Sequence, residues 1–426
     1  MLRLVYTLLI YLASPLVLYL TFRPQRGKPG YGRRWPELLG FVPRQTGPAP
    51  LWIHTVSVGE TLAASPLIRE LRARYPDLPL LITTTTRTGA DQVAKLGDGV
   101  RHLYAPLDYP GTVARFLRRT QPRGLVIMET ELWPNWLAAC RRRSLPVVVM
   151  NARLSERSCQ RYQKVRSLVA GMAKALTRVL CQHREDAARF ARLGLQPAQI
   201  QVTGSLKFDI RLDATLVAAG EQARRQLGGR LVWLAASTHP GEDEQLLTLL
   251  PSLRARYPDS LLILVPRHPV RFDPVAKLCR DAGWALARRS LGEAITAETA
   301  IYLADTMGEM PLLLQMSDVT FLGGSLVPVG GHNLLEPASL GKPTLIGPHS
   351  FNFSDVTRQL CDQDACIQVA DVAALGAELG ELLGDTPRCQ EMGMRGFDVV
   401  AANQGAQAQT LAALVEVFGL DQASPR

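Results

Sequence analysis

The chain has 426 residues, 47% of them hydrophobic and 20% charged, and a formal net charge of +10. Single domains usually stop growing at about 250–300 residues, so more than one hydrophobic core is expected, and the composition excludes a disordered chain and a multi-span membrane protein. Seven scattered cysteines, with no CxxC and no histidines at zinc spacing, exclude a disulfide framework or zinc module and fit the thiols of a reducing compartment.

The charge is unevenly spread. Residues through Ile210 hold 31 Lys and Arg against 13 Asp and Glu, a net +18; the remainder holds 17 against 25, a net −8. A basic half of this size favours anionic partners such as phosphorylated lipid, the cytoplasmic membrane face or nucleic acid.

From Leu4 to Phe22 the chain reads LVYTLLIYLASPLVLYLTF, without a charge. That is about the length a helix needs to cross a hydrocarbon core of roughly 30 Å. Arg23, Arg26, Lys28, Arg33 and Arg34 follow it, against Arg3 before it, so the positive-inside rule places the rest of the chain in the cytoplasm. A cleaved signal peptide would carry its charges on the other side. Pro15 leaves a kinked helix lying in the interface as an alternative to a span.

After a Pro/Gly-rich connector, Pro24 to Pro50, short apolar runs alternate with amphipathic stretches. Strands are predicted at Leu51 to Val56, Leu80 to Thr84, Val100 to Tyr104, Gly124 to Met128, Pro146 to Met150, Arg178 to Cys181 and Ile200 to Val202. Helices are predicted at Leu62 to Tyr75, Gly111 to Thr120 and Ser155 to Met172. The rhythm breaks at Gly204 to Thr215 and restarts with strands at Leu231 to Ala236, Ser260 to Val265, Ala300 to Ala304, Val319 to Leu322, Pro343 to Ile346 and Ile367 to Val369. Such alternation predicts two parallel, doubly wound sheets. The expected organisation is an anchor over 1–23, a Rossmann-like domain over 24–210 and a second over 211–426. Ligands of such sheets bind beyond the carboxyl ends of the strands, so the expected active site is a cleft between the domains. Neither a GxxxxGK[ST] nor a GxGxxG motif follows a first strand, which argues against P-loop and dehydrogenase chemistry.

The strongest local signal is FLGGSLVPVGGHNLLEP, Phe321 to Pro337. A strand ends in Gly323, Gly324 and Ser325, and a second pair, Gly330 and Gly331, is expected to open a helix at His332 and Asn333. Glycines let backbone amides approach an anion, and a helix amino terminus adds about half a positive charge, so a phosphate site is expected here. Glu336, one turn on, is placed to accept from ribose hydroxyls. Two further strand ends point to the same crevice: Ser237, Thr238 and His239, and Arg267, His268 and Pro269, where the arginine offers a fork suited to phosphate.

In the first half, Ser57, Val58, Gly59 and Glu60 follow a strand and lead into a helix. A carboxylate there can remove a proton from an attacking hydroxyl; equally, it can serve as a partner for the helix dipole. Glu129 and Glu131, in METELWPN, are further candidates, with Trp133 and Trp136 offering apolar faces to a sugar or acyl chain. The one DxD, Asp362 and Asp364, lies far from the glycine loop, so a metal-free mechanism is preferred.

These residues match a known pattern. The apolar amino terminus, HTVSVGE around Glu60, METELWPN, GSLKFD at Gly204 to Asp209, ASTHPGEDE at Ala236 to Glu244, VPRHPVR at Val265 to Arg271 and GGSLVPVGGHNLLEP resemble, in order, the 3-deoxy-D-manno-octulosonic acid (Kdo) transferases. The resemblance implies a GT-B fold, CMP-Kdo as donor, a phosphorylated lipid A precursor as acceptor, the inner membrane as location, and inversion without a metal or other cofactor. Glu60 matches the catalytic base, with Ser57, Gly59, Glu129, Glu131 and Trp133 on the acceptor side. Lys207 and the strand-end residues of the second half match the CMP-binding wall, and no nucleic-acid partner is implied. Arg115, Arg118, Arg119 and Arg123, or Arg141 to Arg143, are candidates for meeting lipid phosphates. A GT-B transferase with another donor, such as a UDP-sugar, and a non-catalytic basic membrane tether are the competing readings.

Overall fold

The computed structural model describes residues 2–22 and 30–422. The basic residues Arg23, Arg26 and Lys28 and the start of the connector lie outside the described residues. The remainder divides into two compact units, Met1–Asp209 with Gln404–Arg426, and Ile210–Asn403.

The first unit is built on seven parallel strands: β1 (Leu51–His54), β2 (Leu80–Thr84), β3 (Val100–Tyr104), β4 (Gly124–Met128), β5 (Val147–Ala152), β6 (Arg178–Cys181) and β7 (Ile200–Val202), in the order β3-β2-β1-β4-β5-β6-β7. Runs such as GLVIM and the VVVM that opens β5 are apolar because both faces are covered. Alternate side chains divide accordingly. Trp52, Leu125, Ile127, Val147 and Val149 join one core, and Leu51, Ile53, Val126, Met128, Val148 and Met150 join the other.

The second unit repeats the plan with β8 (Val232–Thr238), β9 (Leu261–Pro266), β10 (Leu286–Arg288), β11 (Ile301–Leu303), β12 (Val319–Leu322), β13 (Thr344–Ile346) and β14 (Cys366–Gln368), in the order β10-β11-β9-β8-β12-β13-β14, again parallel. This unit does not extend from 211 to 426 as expected. The chain returns at Gln404, and the helix Ala406–Phe418 places Leu411, Leu414 and Phe418 in the core of the first unit beside Leu67, Ile68 and Leu71. Asp209 secures the return by accepting the N–H groups of Gly405 (2.7 Å) and Gln407 (2.5 Å).

The apolar amino terminus is not the continuous helix expected from Leu4 to Phe22. It forms two, α1 (Leu2–Leu12) and α2 (Ser14–Phe22), bent by 58°. Pro15 accounts for the break, since it lacks an N–H and its ring crowds the carbonyl four residues back. No single helix among the described residues is long and apolar enough to cross a membrane. The Tyr6 hydroxyl donates to Asp108 (2.9 Å), Thr7 to Asn135 (3.1 Å), and Ser14 bonds Tyr109 (2.9 Å), so the pair is tied to the first unit. Leu4, Leu8, Leu12 and Leu16 stay exposed, Leu12 at 70%.

Candidate active site

β1 and β4 are neighbours in register, His54 opposite Ile127, so the segments leaving them emerge side by side. From β1 the chain enters α3 (Val58–Arg74), whose N-cap is Ser57: its hydroxyl accepts the Glu60 N–H at 3.3 Å. The Glu60 carboxylate turns back to accept the Val56 N–H (2.8 Å) and the Ser57 hydroxyl (3.2 Å). Glu60 is half-buried, and Gly59 beside it is exposed. Burial pushes the Glu60 pKa up to about 7, the Val56 N–H opposes that rise, and the nearby charges of Glu129 and Glu131 add to it. A carboxyl poised near neutrality is suited to proton abstraction.

Glu129 directly follows β4 with a left-handed backbone, φ 57°, while its N–H still bonds the Met150 carbonyl at 2.9 Å. Strained backbone of this kind clusters at functional sites. Burial and the Glu129 charge raise the Glu131 pKa, and Trp133 opposes the rise. Ser57, Gly59, Glu60, Glu129 and Glu131 therefore occupy one strand-end region. Trp133 is half-buried against the core. Trp136, expected to offer a face to substrate, is instead 2% exposed, its indole N–H bonded to the Pro106 carbonyl at 3.1 Å. Below this region His54 is fully buried, and desolvation lowers its pKa to about 4.

Three of the candidate arginines make contacts within the fold. Arg115 donates to the Leu39 carbonyl (2.5 Å) and lies over the Phe41 ring, and Arg119 donates to the Val42 carbonyl. Arg143 reaches the Ala114 carbonyl at 3.2 Å. Arg118, Arg141 and Arg142 are exposed. Lys207 sits in the short turn Leu206–Phe208 and belongs to the first unit.

In the second unit β9, β8 and β12 are consecutive, so their carboxyl ends gather Arg267, His268 and Pro269, then Ser237, Thr238 and His239, then Gly323, Gly324 and Ser325. A bulge against β9 between Ala236 and Thr238 puts Ser237 in the left-handed region, φ 60°. Gly323 is required here, because a Cβ on it would stand 2.6 Å from the Ser237 carbonyl oxygen. His239 and His332 face each other, Nε2 to Nε2 at 3.0 Å with rings 15° from parallel, and His268 meets His239 edge-on at 5.4 Å between centroids. Burial lowers the His332 pKa to about 4, aided by the charges of His239, Arg267 and His268; burial also lowers that of His239, against the pull of Glu242. Just before the helix Leu335–Ser339, Asn333 accepts the Leu335 N–H (3.2 Å) and donates to Glu336 at 3.3 Å. Burial raises the Glu336 pKa, while Asn333 and Arg267 hold it down.

Two expectations for the glycine loop are overturned. The helix starts at Leu335, not His332, because Gly330 and Gly331, at φ 109° and 75°, make a turn in which both their N–H groups bond the Gly324 carbonyl at 3.0 and 2.7 Å. The first glycine pair does not offer amides to an anion either. The Gly323 N–H bonds Ala236, and those of Gly324 and Ser325 are taken by the carboxylate of Glu242, to which the sequence pattern assigns no role. Among the described residues no group of three or more His, Cys, Asp or Glu side chains is arranged to hold a metal ion.

The pair of sheets, with polar residues gathered at their carboxyl ends, defines a GT-B-like glycosyltransferase fold. It is shared, at 11% identity, with a glycosyltransferase from Rickettsia africae (TM-score 0.51, covering 89% of this chain and all of that one). The family described as 3-Deoxy-D-manno-octulosonic-acid transferase (kdotransferase) matches residues 33–210. The 3-deoxy-D-manno-octulosonic acid transferase of Haemophilus influenzae is 38% identical over 96% of this chain and 97% of its own, and that of Bordetella pertussis is 38% identical over 97% and 99%. The chain belongs to this family, and is a Kdo glycosyltransferase.

Proposed function

We propose that the protein transfers Kdo from CMP-Kdo to a phosphorylated lipid A precursor, with inversion, at the cytoplasmic face of the inner membrane. The observation that carries the mechanism is Glu60, a half-buried carboxyl with its pKa pushed up to about 7, held by Val56 and Ser57 and flanked by Glu129 and Glu131. An acceptor hydroxyl gives its proton to Glu60 while its oxygen bonds the Kdo anomeric carbon; the bond from that carbon to the phosphate oxygen breaks, and CMP leaves with the electron pair. Glu129, Glu131, Ser57, Gly59 and Trp133 form the acceptor side.

On the donor side, Arg267, His268 and His239 meet the phosphate, and Asn333 and Glu336 the ribose. Ser237, Thr238, Pro269, Gly323, Gly324, Ser325, Gly330 and Gly331 shape the wall. The exposed leucines of α1 and α2 favour placing this end of the first unit against the bilayer, with the helix pair lying in the interface or crossing it. Incubating the protein with CMP-Kdo and lipid A precursor in vesicles tests the reading: added Kdo is read by mass, and no mass gain refutes it. A thermal-shift titration in which UDP stabilises the protein and CMP does not would favour the alternative donor class.

A further inference from the structure

Glu242 lies in the first turn of the helix Glu242–Leu247 and is wholly shielded from solvent. Its Oε2 accepts the N–H groups of His239 (2.9 Å) and Gly324 (2.6 Å), and its Oε1 those of Ser325 (3.0 Å) and Leu326 (3.0 Å). Four donors use the lone-pair sites of an ionised carboxylate, and none of these partners can accept a proton. Successive amides turned to one point form a concavity of the kind that binds phosphate. Here the protein's own side chain fills it.

Two consequences follow. Glu242 ties the turn after β8, which carries His239, to the turn after β12, whose Gly324 carbonyl receives the N–H groups of Gly330 and Gly331 just before His332. It also sets a negative charge beside His239, which is otherwise faced by His332 from the loop after β12 and by Arg267, His268 and Arg271 from the segment after β9. Resting on the donor-site reading above, we propose that Glu242 is a positioning residue for the donor. It closes the amide nest to the donor phosphate and sets His239 opposite His332, so that the leaving phosphate is received by imidazole and guanidinium groups instead of backbone amides.

The test measures CMP affinity of the full-length protein by calorimetry across pH. Glu242→Gln keeps the shape but turns an NH2 toward N–H donors and removes the charge. CMP affinity is expected to fall at least about tenfold, and the pH at which binding strengthens on acidification moves lower, because His239 has lost its anion. A merely structural role would not move that limb. Glu242→Asp, which keeps the charge, is expected to hold the limb in place and lose less affinity than Glu242→Gln. Wild-type affinity and an unmoved limb in Glu242→Gln, or an equal loss in Glu242→Asp, overturns the proposal. Should Glu242→Gln fail to fold by circular dichroism, Glu242→Asp decides: an unmoved limb supports the proposal and a moved one overturns it. Arg267→Ala and His332→Ala serve as controls. If both bind CMP like the wild type, the donor-site reading fails; if they lose CMP while Glu242→Gln keeps it, only the role of Glu242 does.

Discussion

His239 and His332 hold their Nε2 atoms 3.0 Å apart, a separation that a single proton between the two rings satisfies. Both pKa values are lowered, so near pH 7 the pair is neutral and an arriving phosphate gives it a reason to take up a proton. CMP binding at pH 6.5 is expected to draw protons from buffer, and His332→Ala to reduce that uptake. Titrations in buffers of different ionisation heat measure it. Equal uptake in both proteins removes the pair from phosphate binding.

Glu60→Gln is expected to lower kcat by roughly 10²–10⁴ while leaving CMP affinity within error, since general-base catalysis contributes on that scale. The sign of its effect on stability is also set. A carboxyl whose folded pKa is raised, here to about 7, takes stability away as pH rises through the interval from its unfolded value. Discounted for partial exposure, Glu60→Gln should add about 1 kcal/mol at pH 8 and little at pH 4. Thermal unfolding at the two pH values checks it, and a variant destabilised at pH 8 contradicts the assignment.

Glu129→Gln should move the activity profile. Activity is expected to rise with pH as Glu60 ionises, and the Glu129 charge helps to hold that pKa up. Removing it lowers the pKa, so the acid limb of kcat/KM shifts to lower pH. A shift to higher pH, or none, shows that the two carboxyls do not communicate.

Asp108 accepts the N–H groups of Asn135 (3.2 Å) and Trp136 (2.9 Å) at the start of the helix Pro134–Arg142, as well as the Tyr6 hydroxyl. Burial raises its pKa to about 6, against the pull of these donors. Asp108→Asn turns an amide donor toward backbone donors and should lower stability by about 1–3 kcal/mol. Trypsin cleavage at Arg3 should quicken with it, because Tyr6 loses its anchor. Denaturant titration and timed proteolysis test the two parts.

The sheets were legible because strands buried on both faces read as continuous apolar runs, and GLVIM and VVVM admit little else. The strand-end residues were legible for a related reason: in a parallel sheet neighbouring ends share an edge, so Ser237, Arg267 and Gly323 had to gather. Glu242 was not, because its acceptor role depends on amides contributed by a strand end more than eighty residues further along the chain, and a Glu in a first helical turn has an ordinary dipole explanation. The helix starts at Leu335 and not at His332 because Gly330 and Gly331 spend their N–H groups on one carbonyl, a pairing that no local sequence pattern shows. β10 and the homing of the last helix were equally hidden, the former because Leu286–Arg288 reads LAR and offers no continuous apolar run.

The chain's homeward run from Gln404 makes the second unit an insertion within the first. A fragment spanning Ile210–Asn403 would be one unbroken polypeptide, whereas its counterpart must be assembled from two pieces. Ending a gene at codon 209 would bare Leu67, Ile68 and Leu71, and would leave an empty slot over Gly124, where the Phe418 ring presses so closely that even a methyl group has no room.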